Sequence, residues 1–153
     1  MASFATKYFG TLDCERTDLF DFPQGLPGFE EQTTFVLLNL PSRHPLVFLQ
    51  STQNPQLCFL GLPIFVVDPD YELSVSVEDL SIMELKRERQ PQIGTEVMVL
   101  ALLSIVEGQS ATANLMAPIV LNLSQRIGAQ AIRCDFRYSH QHQVLSLVDA
   151  GTC

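Results

Sequence analysis

The chain has 153 residues, 46% of them hydrophobic, and a formal net charge of −8. A chain of that length buries about two thirds of its unfolded surface as one domain, here residues 1–153, and this apolar content excludes wholesale disorder. Nine acids face three bases in residues 1–76, and eight face six in residues 77–153. The concentration of negative charge argues against direct contact with nucleic-acid phosphate, and it suits a basic protein partner or plain solubility.

The start, Met1-Ala2-Ser3-Phe4-Ala5-Thr6-Lys7, lacks the charged segment and long apolar run of an export signal. The longest apolar run, 97–106, is about half the length of a membrane span and reads as a buried strand. A cytoplasmic protein with no membrane contact is therefore expected. Cys14, Cys58, Cys134 and Cys153 form no CxxC; they are expected to be reduced thiols, two or three of them in the core.

In chain order, residues 4–9 alternate as a strand, with Phe4, Thr6 and Tyr8 on one face and Gly10 at a turn or bulge. Residues 19–22 lead into Phe22-Pro23-Gln24-Gly25-Leu26-Pro27-Gly28-Phe29. Two prolines that fix φ and two glycines that free it make this a shaped loop, pegged to the body by Phe22, Leu26 and Phe29. Strands follow at 35–40, closed by Pro41, and at 46–50, ahead of a turn around Asn54-Pro55. Further apolar runs at 57–62 and 64–67 are split by Pro63, which implies an edge or a bend. One helix is expected, capped by Ser76 with Asp79 three residues on, an apolar stripe of Leu80, Met83 and Ile82, and a basic end at Lys86, Arg87 and Arg89. Strands at 97–106, 111–116, 119–123 and 129–134 complete the set. Asn114 and Asn122 bracket a strand pair in which Pro118 removes a ladder donor. Short strands separated by Pro, Gly and Asn turns predict a mostly β, single-domain antiparallel barrel-like fold with one or two short helices.

Catalytic chemistry is sparse. The chain has no Gly-rich phosphate loop and no GxSxG elbow. His140 and His142 share a face if extended, and Cys134 or Asp135 stand nearby, but two histidines leave a zinc shell incomplete. A polar C-terminal segment is the expected reading. The carboxylate pairs Asp68/Asp70 and Glu30/Glu31 sit in turn-like surroundings, and Asp68-Pro69-Asp70 is ordinary turn chemistry. No acid, base or electrophile converges on a defined pocket, so neither an enzyme nor a bound cofactor is expected.

Several blocks occur in one order: Thr6-Lys7-Tyr8-Phe9-Gly10, the Pro/Gly loop, Leu49-Gln50-Ser51, Asn54-Pro55-Gln56-Leu57-Cys58-Phe59 and Pro69-Asp70-Tyr71-Glu72. Ala113-Asn114-Leu115-Met116-Ala117-Pro118-Ile119-Val120-Leu121-Asn122-Leu123 and Gly128-Ala129-Gln130 follow. Together they resemble the bacterial flagellar assembly factor FliW family over residues 5–138. Asn54 stands where that family often has an acid. Beyond Tyr138 the family's short ending gives way to Ser139-His140-Gln141-His142 and an apolar tail at 144–148. The resemblance implies a barrel-like protein that works in the cytoplasm by binding two proteins, flagellin and the RNA-binding regulator CsrA. It implies antagonism of CsrA from outside its RNA surface, with flagellin as the competing partner. Acidity places the CsrA-facing surface at Asp68, Asp70, Tyr71 and Glu72 first, then at Phe29, Glu30 and Glu31. Tyr71 either pegs its loop or presents an exposed aromatic; Gln50 is either a structural amide or a contact. A small-molecule-binding barrel is the alternative, which a core packed with side chains would count against.

Overall fold

The computed structural model describes residues 2–7, 9–14 and 19–144. In chain order the elements are β1 (Ala2–Thr6), β2 (Gly10–Cys14), β3 (Leu19–Asp21), β4 (Thr34–Leu38), β5 (Val47–Ser51), β6 (Cys58–Pro63), the single-turn α1 (Ile64–Val67) and α2 (Val77–Ile82). Then come β7 (Val97–Ser104), β8 (Thr112–Ala113), β9 (Ile119–Asn122), β10 (Ile127–Gln130) and β11 (His142–Gln143). β1 and β2 form a hairpin of their own. β3, β4, β5, β6, β7, β9 and β10 close into a ring, because β7 pairs with β6 on one side and β9 on the other while β10 returns to β3. β8 pairs with the far end of β7, and β11 pairs with β8.

The expected barrel is present, with one parallel contact. A ring in which every neighbour is antiparallel must hold an even number of strands, and this one holds seven. The mismatch falls at β3/β10, which meet at the parallel bridge Ile127–Asp21 while the other ring neighbours are antiparallel. There the Asp21 amide donates to the Arg126 carbonyl at 2.9 Å.

Phe20, Phe22, Phe35, Leu49, Leu100, Ile119 and Leu121 fill the barrel, together with Leu26 and Val47. The interior is thus occupied by side chains, which counts against the ligand-holding alternative. Alternate residues of β7 and β9, namely Val97, Val99, Ala101 and Val120, face outward. They are covered by Ile64, Tyr71, Val75, Leu80 and Met83 from the segment carrying α1 and α2. Burial on both faces explains why β7 reads as an unbroken apolar run, and each large side chain sealed there is worth roughly 1.5–3 kcal/mol.

The segment 64–67 departs from expectation: it is one helical turn, not a strand. Pro63 ends the ladder, and the chain turns back so that the Asp68 amide donates to the Ile64 carbonyl at 2.9 Å. The strand expected at 111–116 contracts to Thr112–Ala113, because a side-chain turn takes over the backbone groups after it, and the one expected at 129–134 lies earlier, as β10 at Ile127–Gln130. Asn114 Oδ1 accepts from the Met116 and Ala117 amides at 3.1 and 3.0 Å. The first strand is β1 at Ala2–Thr6; Thr6 Oγ1 accepts from the Phe9 amide and donates to the Gly10 carbonyl, closing the turn. Tyr8, Cys153 and the tail beyond Val144 lie outside the described residues. Cys58 is half-buried, its thiol pushed up to about 11 by burial, whereas Cys134 is exposed rather than in the core.

Gln50 is fully buried on the outer face of β5. Its Nε2 donates to the Ser51, Asn54 and Pro55 carbonyls at 2.9–3.4 Å, which makes it a structural amide. Its Oε1 has no hydrogen-bond partner among the described residues. The β1–β2 hairpin reaches the same face, where the Lys7 amide donates to the Pro55 carbonyl and Phe9 meets Phe48 edge-on.

Candidate partner-binding surface

The Pro/Gly loop owes its shape to two left-handed glycines, Gly25 at φ +63° and Gly28 at φ +86°. Gly25 donates to the Phe22 carbonyl at 2.8 Å, and the Phe29 amide donates to Leu26 at 2.7 Å, so two tight turns follow each other. A Cβ on Gly25 would stand 2.6 Å from Glu30 Cα and 2.7 Å from two carbonyl oxygens; one on Gly28 would meet nothing within 4 Å. Phe22 and Leu26 are the buried pegs. Phe22 packs edge-on against Phe35 at 5.1 Å and lies over Gly128, where a Cβ would come within 2.6 Å of its ring. Phe29 is the exception among the three expected pegs: it is 41% exposed and leans on Phe59 at 5.4 Å. Glu30 Oε1 accepts from the Gly28 amide at 3.2 Å, and both Glu30 and Glu31 are exposed.

The segment 68–72 is tied down more firmly than its acidity suggests. Asp68 Oδ1 accepts from the Asp70 amide at 2.9 Å, the turn role that Asp-Pro-Asp predicts. Tyr71 is 5% exposed, so it pegs the loop and does not present an aromatic to solvent. Its hydroxyl donates to the Leu115 carbonyl at 2.8 Å, and its ring lies 4.4 Å from that of Tyr138. Burial pushes the Tyr71 phenol up, against the opposing pull of Arg133.

Arg133, 4% exposed, sits at the centre of this cluster. Its guanidinium grips Asp135 through Nε and Nη2 at 2.8 and 2.9 Å, donates to the Glu72 carbonyl, and lies over the rings of Tyr138 and Tyr71. The bidentate bond to Asp135 pulls that carboxyl below its usual range. Arg137 donates to Glu72 Oε2 at 2.6 Å and holds the Glu72 carboxyl low in turn. The Tyr138 hydroxyl accepts from the Glu72 amide at 3.0 Å. Sequence reasoning missed this hook. Its signal was the alternation Arg133-Cys134-Asp135-Phe136-Arg137-Tyr138, which sets two cations and a ring on a short turn.

Of the seven candidates, Asp70, Glu30 and Glu31 remain as exposed carboxylates without a cation partner among the described residues; Glu72 is exposed but paired. No hydrogen bond, ion pair or ring contact between described residues joins 29–31 to 68–72, so they are two patches. Beside the first lies an open groove of about 320 Å³ lined by Gln24, Pro27, Glu30, Asp79, Gln130 and Ile132, among others. Among the described residues no three His, Cys, Asp or Glu side chains are grouped to hold a metal ion, and no helix is long and apolar enough to cross a membrane.

These features define a class: a small closed β-barrel whose interior is filled with side chains and whose candidate carboxylates lie on connecting loops. Within that class the chain belongs to the FliW protein family, whose model matches residues 3–144. It is 36% identical over 141 residues to the flagellar assembly factor FliW of Geobacillus sp. (strain WCH70), covering 92% of this chain and 93% of that one. It is 37% identical over 145 residues to that of Desulfitobacterium hafniense (strain Y51), with 94% and 91% covered. A crystal structure of the flagellar assembly factor FliW superposes with a TM-score of 0.79 at 34% identity, covering 93% of this chain and 96% of that one.

Proposed function

We propose that this protein is a cytoplasmic flagellar assembly factor that acts by binding rather than catalysis. It holds the translational regulator CsrA, so that flagellin mRNA is released from repression, and it binds flagellin as the competing partner. Family membership along nearly the whole chain is the observation that carries this reading. The packed barrel supports it, since a solid core leaves the outer surface to work with. The acidic N-terminal half suits an RNA-binding partner, which is itself basic, and complementary charge steers such encounters.

Within the acidic segment, Asp70 is the residue to change. Glu72 is engaged by Arg137, so reversing it also frees a cation. Asp70 is exposed, and its carboxylate has no such tie among the described residues. Asp70→Lys is expected to weaken CsrA binding about fivefold or more at low salt, the scale of one exposed charge contact, and to leave the melting temperature nearly unchanged. Unaltered affinity in a folded variant would remove this segment from the interface.

A further inference from the structure

The ladder between β10 and β3 is the shortest in the ring, a single bridge, and it leaves part of the β10 edge open. Alternation along that strand decides which backbone groups point where. The Ala131 and Arg133 amides donate to the Pro118 and Met116 carbonyls at 2.9 and 3.0 Å, so the chain beyond β10 continues the β9 pairing through its odd-numbered residues. Ile132 and Cys134 therefore turn their amides and carbonyls to the opposite edge. At Ile127 that edge is covered by β3, but β3 ends at Asp21 and the chain then enters the turn closed by the Gly25 amide on the Phe22 carbonyl. Nothing among the described residues hydrogen-bonds to the backbone of Ile132 or Cys134. The space beyond β3 is the 320 Å³ groove, with the Pro/Gly loop as its far wall. Ile132 is 53% exposed, and the two carboxylates lining the groove are Glu30 and Asp79.

We propose that this open edge is a docking site for an extended, basic segment of a protein partner, which would add as a strand beside residues 130–134. Unpaired donors and acceptors along a sheet edge recognise an extended backbone and little else. Alternate side chains of the added strand meet Ile132 on one side and the Glu30/Asp79 pair on the other, so a Lys or Arg next to an apolar residue fits. A second copy of this chain is disfavoured by charge, since it would bring the same two carboxylates against themselves on a chain of net −8. The rigid Pro/Gly loop acquires a use here: it holds the groove open and places Glu30 at its rim. The proposal goes beyond the CsrA and flagellin reading and stands or falls apart from it.

The test is selection of a phage-displayed library of random 12-residue peptides on the full chain, with recovered peptides measured by fluorescence anisotropy. Ile132→Pro removes an amide that bonds to nothing in the fold and blocks the edge, while the Ala131 and Arg133 bonds remain. Glu30→Lys reverses the rim charge without touching the edge. Enriched peptides rich in Lys or Arg, bound at least tenfold more weakly by Ile132→Pro and at least fivefold more weakly by Glu30→Lys, are the expected result. If circular dichroism shows Ile132→Pro unfolded, Glu30→Lys alone decides. The proposal is overturned if nothing is enriched, or if the peptides bind the folded variants as they bind the parent. It is also overturned by a wild-type dimer that Ile132→Pro dissolves, which would make the edge a self-pairing one.

Discussion

Gly25 and Gly28 share a left-handed backbone but not a neighbourhood, which makes them a matched pair at the scale of single residues. Alanine at Gly28 meets only the left-handed penalty, about 1–2 kcal/mol. Alanine at Gly25 adds a 2.6 Å approach to the Glu30 backbone, and backbone cannot swing aside as a side-chain tip can. Thermal denaturation should therefore show Gly25→Ala lowered by roughly 5 °C or more, and by clearly more than Gly28→Ala, at the 2–4 °C per kcal/mol expected for this size. Equal shifts would mean that the loop relaxes around the new methyl. Tyr71→Phe keeps the ring against Tyr138 and removes the bond to Leu115 together with the longer one accepted from Arg133 Nη1 at 3.4 Å. It is expected to cost about 1 kcal/mol in urea unfolding, and no change would show that the Leu115 carbonyl finds another donor.

At the scale of elements, α2 shows how much a short helix owes to its ends. Ser76 Oγ accepts from the Asp79 amide at 3.1 Å, as the sequence pattern predicts. The other end closes with the Glu84 amide on the Ser81 carbonyl and the Leu85 amide on Leu80, leaving Glu84 left-handed at φ 58°. Glu84→Gly is expected to raise stability by about 0.5–1 kcal/mol, because glycine removes that strain; destabilisation would show that its greater freedom in the unfolded chain outweighs the relief. The connection after α2 is fixed by Glu96, whose carboxylate takes both Arg89 amino groups and the Gln92 amide. Those bonds, the Arg89 ones first, depress its pKa from 4.5 to about 2. A depressed carboxylate stabilises the fold above its unfolded pKa and loses that contribution as pH falls. Stability should therefore decline between about pH 4.5 and 2, and Glu96→Gln should flatten that decline; an identical pH profile in the variant would mean that the pair contributes nothing. The N-cap of α2 was legible in the sequence because capping is local chemistry. Its end was not: the helix stops at Ile82, so Lys86, Arg87 and Arg89, expected at its C-terminus, lie beyond it. Nor was the helical turn at 64–67, since four apolar, mostly β-branched residues carry the same signal in either conformation.

For the molecule as a whole, an antiparallel barrel of short strands could be read from turn spacing, but the seven-strand ring and its parallel seam could not, because closure depends on which distant strands meet. The acidic patches illustrate the same limit. Asp68, Asp70 and Glu72 look alike in sequence, yet one caps a turn, one is exposed without a cation and one is held by Arg137, which lies 65 positions further along. Tyr71 was legible as an aromatic but not as buried, because Arg133 and Tyr138 come from the far end of the chain. What unites the observations is a solid barrel with charge and hooks outside, and the proposed function places its work on that outer surface. The most direct test is calorimetric titration of the reduced protein with CsrA from the same organism at two salt concentrations. The account predicts tight binding that weakens as salt rises, because exposed charges are screened. Absence of binding at both concentrations would contradict it.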